Sequence, residues 1–193
     1  MPKSYTKQLE IARELYLDRE DTKGMAYLAN LELGAWLTER FTWDWYTTHT
    51  FKQEDISWGK ADRAWQAWLN SLILTCKVKG LARPHYVRAT EYQEHREGKT
   101  IHYHALIGGL GDIRRLLFKD MWELFGFARV VAYDPQLGAG FYLGKYLTKS
   151  DSDIRFSHNL KTRQRLDKYR LGGTLSIWLS VSYVVKSSKT RLA

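Results

Sequence analysis

Two short stretches of the chain hold residues that could do chemistry together. Glu91-Tyr92-Gln93-Glu94-His95-Arg96-Glu97-Gly98-Lys99-Thr100-Ile101-His102-Tyr103-His104 carries imidazoles and carboxylates. Tyr142-Leu143-Gly144-Lys145-Tyr146-Leu147-Thr148-Lys149 carries phenols and ammonium groups. Imidazole with carboxylate is a mixed nitrogen and oxygen donor set, suited to a divalent transition ion or to Mg²⁺ or Mn²⁺. A phenol is a nucleophile once a nearby positive charge makes its phenolate accessible.

The elements that must position these groups follow from pattern. Tyr86, Val87, Thr90 and Tyr92 are β-formers, and 101–107 alternates as a strand does. Between them Glu97-Gly98 sits in a polar run able to turn tightly. With those two residues at the turn centre, Arg96 faces Lys99, His102 faces Gln93 and His104 faces Glu91. Residues two apart on a strand share a face, so His102, His104, Glu91 and, more weakly, Gln93 are expected to cluster as metal ligands. A one-residue slip would move Glu91 to the other face, so the expectation needs an even-numbered loop. The competing reading of His-x-His is a pair of ordinary polar residues on a strand.

In a helix, Tyr142 and Tyr146 lie four apart on one face, and Lys145 and Lys149 lie four apart on an adjacent one. An amphipathic surface helix would show the same spacing. The alternatives separate only if helix and hairpin meet.

Taken together, these residues resemble the HUH endonuclease superfamily. His102-Tyr103-His104 in a hydrophobic strand, the upstream Glu91 and Tyr142-x-x-Lys145-Tyr146-x-x-Lys149 are similar to the motifs of rolling-circle replication initiators of small phages and plasmids. Trp45-Tyr46-Thr47-Thr48-His49-Thr50-Phe51 resembles that family's first motif, and the motifs stand in the family's order over 45–149. The chain departs from the pattern in having an aromatic, Tyr103, between the histidines, and in lacking a helicase or nucleotide-binding signature. The resemblance implies metal-dependent, site-specific nicking and joining of single-stranded DNA. Glu91, His102 and His104 would hold Mg²⁺ or Mn²⁺, and a tyrosine would form a 5′-phosphotyrosine link, leaving a free 3′-hydroxyl. Tyr146 is favoured as the primary nucleophile with Tyr142 as its partner, and Lys145 or Lys149 would stabilise the phenolate or the transition-state charge. The expected partners are single-stranded or hairpin origin DNA and a helicase from the host. Within the superfamily, a single-strand transposase or a relaxase is the alternative. Outside enzymes, the alternative is a ferredoxin-like module that binds single-stranded nucleic acid.

Composition narrows the classes. The chain has 193 residues, is 44% hydrophobic and carries a net charge of +9, which suits a globular domain with an anionic partner. Its single cysteine, Cys76, excludes a disulfide framework and fits a reducing compartment. No run approaches the ~20 apolar residues of a membrane span, and the start lacks the apolar core of a signal peptide. A cytoplasmic protein with no membrane partner is expected.

In chain order, 4–39 reads as two helices broken at Gly24. Trp43 to Phe51 reads as the first strand. Ser57 caps a helix with apolar positions Ala61, Trp65, Trp68, Leu69, Leu72, Ile73 and Cys76. After the hairpin, Asp112 is the expected cap of a helix burying Ile113, Leu116, Leu117, Trp122, Leu124 and Phe125. Phe127 to Tyr133 is the next strand, followed by the tyrosine helix after Gly140. Order β-α-β-β-α-β then predicts an α+β fold, a ferredoxin-like split βαβ antiparallel sheet with helices on one face, as the HUH resemblance also implies. The expected organisation is one domain over 1–193. It has bracing helices in 1–40, the motif-bearing core in 41–150 and a basic segment with a final strand in 151–193. Lys161, Arg163, Arg165, Lys168 and Arg170 are candidate phosphate contacts, or a solvated face. Trp65, Trp68 and Trp122 are expected in the core, Trp43, Trp45 and Trp178 are left open, and His49 and His85 are expected to be structural.

Overall fold

Alternation decides the sheet. In strand β1 (Trp45–Thr50) the side chains of Trp45, Thr47 and His49 are buried, while those of Tyr46, Thr48 and Thr50 are half-buried. The computed structural model describes residues 22–95, 98–147 and 153–160, with isolated positions 7, 10, 11 and 14. The other described elements are helix α1 (Thr22–Arg40), helix α2 (Trp58–Val78), strands β2 (His85–His95) and β3 (Gly98–Gly108), and helix α3 (Arg115–Met121). A 3-10 turn (Trp122–Leu124), strand β4 (Ala128–Ala132), helix α4 (Gly138–Leu147) and the short strand β5 (Ile154–Phe156) follow.

The fold is α+β, with an open sheet in the order β4-β1-β3-β2-β5. The ladders β1–β3, β1–β4 and β2–β3 are antiparallel. β5 follows β2 at the edge, where Thr90 N donates to Asp153 O at 2.9 Å. By its contacts the chain divides into two compact units, 1–155 and 156–193. Helices α1 to α4 and strands β1 to β4 belong to the first, together with Ile154 and Arg155 of β5. In the second, a helical turn over 158–160 has Leu160 N donating to Ser157 O at 3.1 Å.

One face of the sheet is packed by α2, whose buried residues Ala61, Ala64, Trp65, Trp68, Leu69, Leu72 and Cys76 repeat at helical spacing. They meet Trp45, Ile101, Tyr103, Ala105 and Ile107 of the strands. Trp68 Nε1 donates to Phe118 O at 2.7 Å and Trp122 Nε1 to Thr50 O at 2.8 Å, so both buried indoles keep a partner. Trp45, left open by the sequence, belongs to this core. Trp43 is buried too and donates to Leu37 O at 3.0 Å. Gly126 allows the chain to enter β4 beside the end of β1, because a Cβ there would stand 2.0 Å from Thr50 O.

Several expectations change. The hairpin ladder pairs His95 with Gly98, so residues 96 and 97 form the connection and the register moves by two residues. Glu91 therefore faces His102, Gln93 faces Thr100, and His104 faces Ala89. The shift is even, so no side chain changes face. Helices cover both faces of the sheet rather than one, because α4 lies on the His104 face and α2 on the His49 face. Gly24 falls inside α1, not in a break. The helix after the hairpin is short, and Arg114 stands at its N-cap. Asp112 instead pairs with Lys79 at 2.9 Å. Leu116, Leu117 and Leu124 are exposed, and the buried anchors are Phe118 and Trp122, four apart. The first expected helix falls mostly outside the described residues, as do 161–193 with the final strand and Trp178.

Candidate active site

The face away from α2 gathers the expected chemistry. Thr48 of β1 faces His104 of β3, Thr50 faces His102, and Glu91 of β2 faces His102 from the other side. Glu91 and His104 lie on adjacent rungs and touch diagonally, with Nε2 3.1 Å from Oε2. Opposite His104 stands Ala89, small and fully buried, which leaves the imidazole room to lean toward the carboxylate. Both partners are buried, at 5% and 6% exposure. The other ring nitrogen, Nδ1, lies 3.0 Å from the Tyr46 hydroxyl and 3.2 Å from Thr48 Oγ1.

Helix α4 lies over this pair. It starts at Gly138, whose φ of 75° lies in the region open to glycine. Ala139 N, one of the amides that a helix start leaves without an internal partner, donates to Thr38 Oγ1 of α1 at 2.8 Å. Two turns on, the Tyr146 ring stacks on the His104 imidazole, centroids 3.9 Å apart and planes 16° from parallel. Its phenol is also hydrogen-bonded with Tyr46. Burial pushes the Tyr146 phenol well above its ordinary pKa, and the hydrogen bond with Tyr46 and the charge of Glu91 push it further. Tyr142 lies one turn earlier, 8% exposed, its hydroxyl accepting from Asp134 N at 3.0 Å. Its ring packs on Tyr46 at 4.8 Å and on Tyr133 at 5.2 Å.

The structure thus brings together Glu91, His104, Tyr142 and Tyr146. His102 is on the same face and half-buried, with Nε2 turned to Thr100 Oγ1 at 3.3 Å. Among the described residues, no three His, Cys, Asp or Glu side chains converge on one point. Two ligands at right angles on an octahedral ion, each about 2.1 Å from it, stand about 3 Å apart. The His104–Glu91 pair matches that spacing, which is equally that of a hydrogen bond. Two of the three expected donors therefore suit a divalent ion, and the third points along its strand. The side chains of Gln93 and Lys145, together with Lys149, Lys161, Arg163, Arg165, Lys168 and Arg170, lie outside the described set.

His85 and His49 stand apart from the site. His85 Nε2 lies 2.9 Å from Thr42 O, and its ring packs on Trp43. His49 faces α2, fully buried among Trp65, Trp68 and Trp122 at centroid distances of 5.2, 4.7 and 4.4 Å. Burial above all, with electrostatic interaction with His104 and Arg88, lowers its pKa to about 3.

Sequence reasoning did not single out Tyr46 or Tyr133. The only local signal for Tyr46 is that it shares the alternate face of β1 with Thr48. No protein-family model, curated protein or solved structure gives a significant match to the chain. No described helix is long and apolar enough to cross a membrane.

Proposed function

We propose that this chain nicks and rejoins single-stranded DNA at a specific site, through a 5′-phosphotyrosine intermediate, to start rolling-circle replication. The observation that carries the reading is one column of side chains. The Tyr146 phenol lies on the His104 imidazole, and that imidazole touches the Glu91 carboxylate. Residues far apart in the chain, expected as nucleophile and ligands, meet on one face of one sheet. The strand order β4-β1-β3-β2 supports the ferredoxin-like HUH arrangement, with a helix in each crossover.

Glu91 and His104, with His102 from the neighbouring rung, would hold Mg²⁺ or Mn²⁺, which when bound polarises the scissile phosphate and offsets charge growing on its oxygens. Tyr146 provides the attacking oxygen. Its bond to phosphorus forms as the bond from phosphorus to the 3′-side oxygen breaks. The phenol gives up one proton and the departing 3′-oxygen takes one up, so one phosphate diester replaces another without a nucleotide cofactor. The reverse attack by the 3′-hydroxyl rejoins the strand. Tyr142, on the same helix face, is the second phenol available for a further transfer. Lys145 and Lys149 would stabilise the phenolate or the transition-state charge, and Lys161, Arg163, Arg165, Lys168 and Arg170 are the candidate contacts to phosphates of a single-stranded or hairpin origin. A host helicase is the expected partner.

The test uses labelled single-stranded origin DNA with Mn²⁺ on a denaturing protein gel. A band at the mass of protein plus DNA is expected. Chelator, or the Tyr142→Phe/Tyr146→Phe double variant, removes it while DNA binding stays. Nicking that persists in the double variant sinks the mechanism. Binding without any adduct, under every divalent ion tried, favours the nucleic-acid-binding module instead.

A further inference from the structure

Tyr46 touches His104 and both candidate nucleophiles. Its hydroxyl lies 3.0 Å from His104 Nδ1 and is hydrogen-bonded with Tyr146, while its ring lies 4.8 Å from that of Tyr142. His104 Nδ1 has the hydroxyls of Tyr46 and Thr48 as its neighbours, while Nε2 faces Glu91. Tyr142 is held differently. Its hydroxyl accepts a backbone amide, that of Asp134, and its contact with Tyr46 is ring against ring.

We infer that Tyr46 is a positioning residue that selects which tyrosine reacts, its hydroxyl fixing Tyr146 toward the His104–Glu91 pair and its ring seating Tyr142 behind it. This role rests on the nicking function proposed above. The two nucleophiles depend on different parts of one side chain, and so they can be separated. Removing the hydroxyl releases Tyr146 and leaves the seat of Tyr142. Removing the ring as well releases both.

The measurement is the ratio of DNA-linked Tyr146 to DNA-linked Tyr142, read by proteolysis and mass spectrometry of the Mn²⁺ reaction. In the unaltered protein most of the adduct is expected on Tyr146. Tyr46→Phe shifts the ratio toward Tyr142 by about tenfold, the effect of losing one hydrogen bond worth about 1.4 kcal/mol. Its melting temperature and DNA affinity stay near those of the unaltered protein, because one atom is lost from a half-buried ring. Tyr46→Leu lowers both adducts. A Tyr46→Phe protein that keeps the original ratio overturns the selecting role, whatever its total rate, since general loosening lowers both adducts together. Absence of any adduct in the unaltered protein is a separate outcome, which refutes the nicking function and the selecting role with it.

Discussion

His49 and His104 stand on neighbouring strands, one position out of phase, and so face opposite ways. His104 meets a carboxylate, two hydroxyls and a stacked phenol. His49 meets three indoles, and neither of its ring nitrogens has a hydrogen-bond partner. The same residue type thus has polar partners on one side of a strand pair and is an apolar filler on the other. The neighbours that reach each face decide which: strand residues and Tyr146 of α4 on one side, and the indoles of α2 and the 3-10 turn on the other.

The largest test of this contrast exchanges function. His104→Ala is expected to cut adduct formation about 10²–10³-fold, the range seen when one group that stabilises charge is removed from an active site. His49→Leu is expected to keep the rate within about twofold at pH 7. Equal losses in both would erase the distinction.

A second test asks what holds the His49 side. Arg88, 1% exposed, pairs with Asp62 at 2.8 Å and lies over the Tyr103 ring at 3.9 Å. Asp62 also takes Arg155 at 2.5 Å and the Tyr103 hydroxyl at 3.0 Å. Burial works against the Asp62 charge, yet these donors, Arg88 above all, keep its pKa below the ordinary value. Asp62→Ala leaves a buried guanidinium short of its counter-charge. It is expected to cost about 3 kcal/mol in denaturant unfolding, the low end for a broken buried pair because the Asp62 side chain is 30% exposed. A loss under about 1 kcal/mol would mean that solvent reaches Arg88.

The third test uses pH. His49 has a folded-state pKa of about 3 against 6.5 when unfolded. Between those values the unfolded chain binds the extra proton, so stability is lost as pH falls below about 6.5. Between pH 7 and pH 5 this amounts to about 2 kcal/mol, at about 1.4 kcal/mol per pH unit. Urea unfolding at both values should show that loss in the unaltered protein and less of it in His49→Leu. Identical pH dependence in the two proteins would show that another group is responsible. The smallest effect concerns α3, where Leu117 is 55% exposed. Leu117→Lys is expected to change stability by less than about 0.5 kcal/mol. A larger loss in thermal melting would place Leu117 against something.

Much of the frame was legible because it is written locally. The strand of alternating Thr, the Trp-rich helix and the hairpin each carry their own period. The hairpin register was missed because Gly98 attracts a turn, while the ladder turns one residue earlier and keeps Gly98 in the strand. The helix after the hairpin was read in part: Trp122 is buried as expected, but Leu116, Leu117 and Leu124 are exposed and Phe118 was passed over. Packing chose Phe118 and Trp122, which fill the space beside Trp68. The site residues were legible as types, since their roles rest on donor chemistry. The links between them were not, because Tyr46 and His104 are 58 positions apart and no local pattern pairs them.

The two-residue connection of the hairpin carries a consequence for how such a chain can evolve. Where the register follows the loop length, each residue added or lost there turns one strand's faces over against the other's. A change of two preserves Glu91 on the histidine face, and a change of one buries it against the tryptophans. Natural variation in this loop would therefore be filtered by parity before it is filtered by composition. Even-length changes would be near-neutral variants, and odd-length ones would lose the site at a stroke.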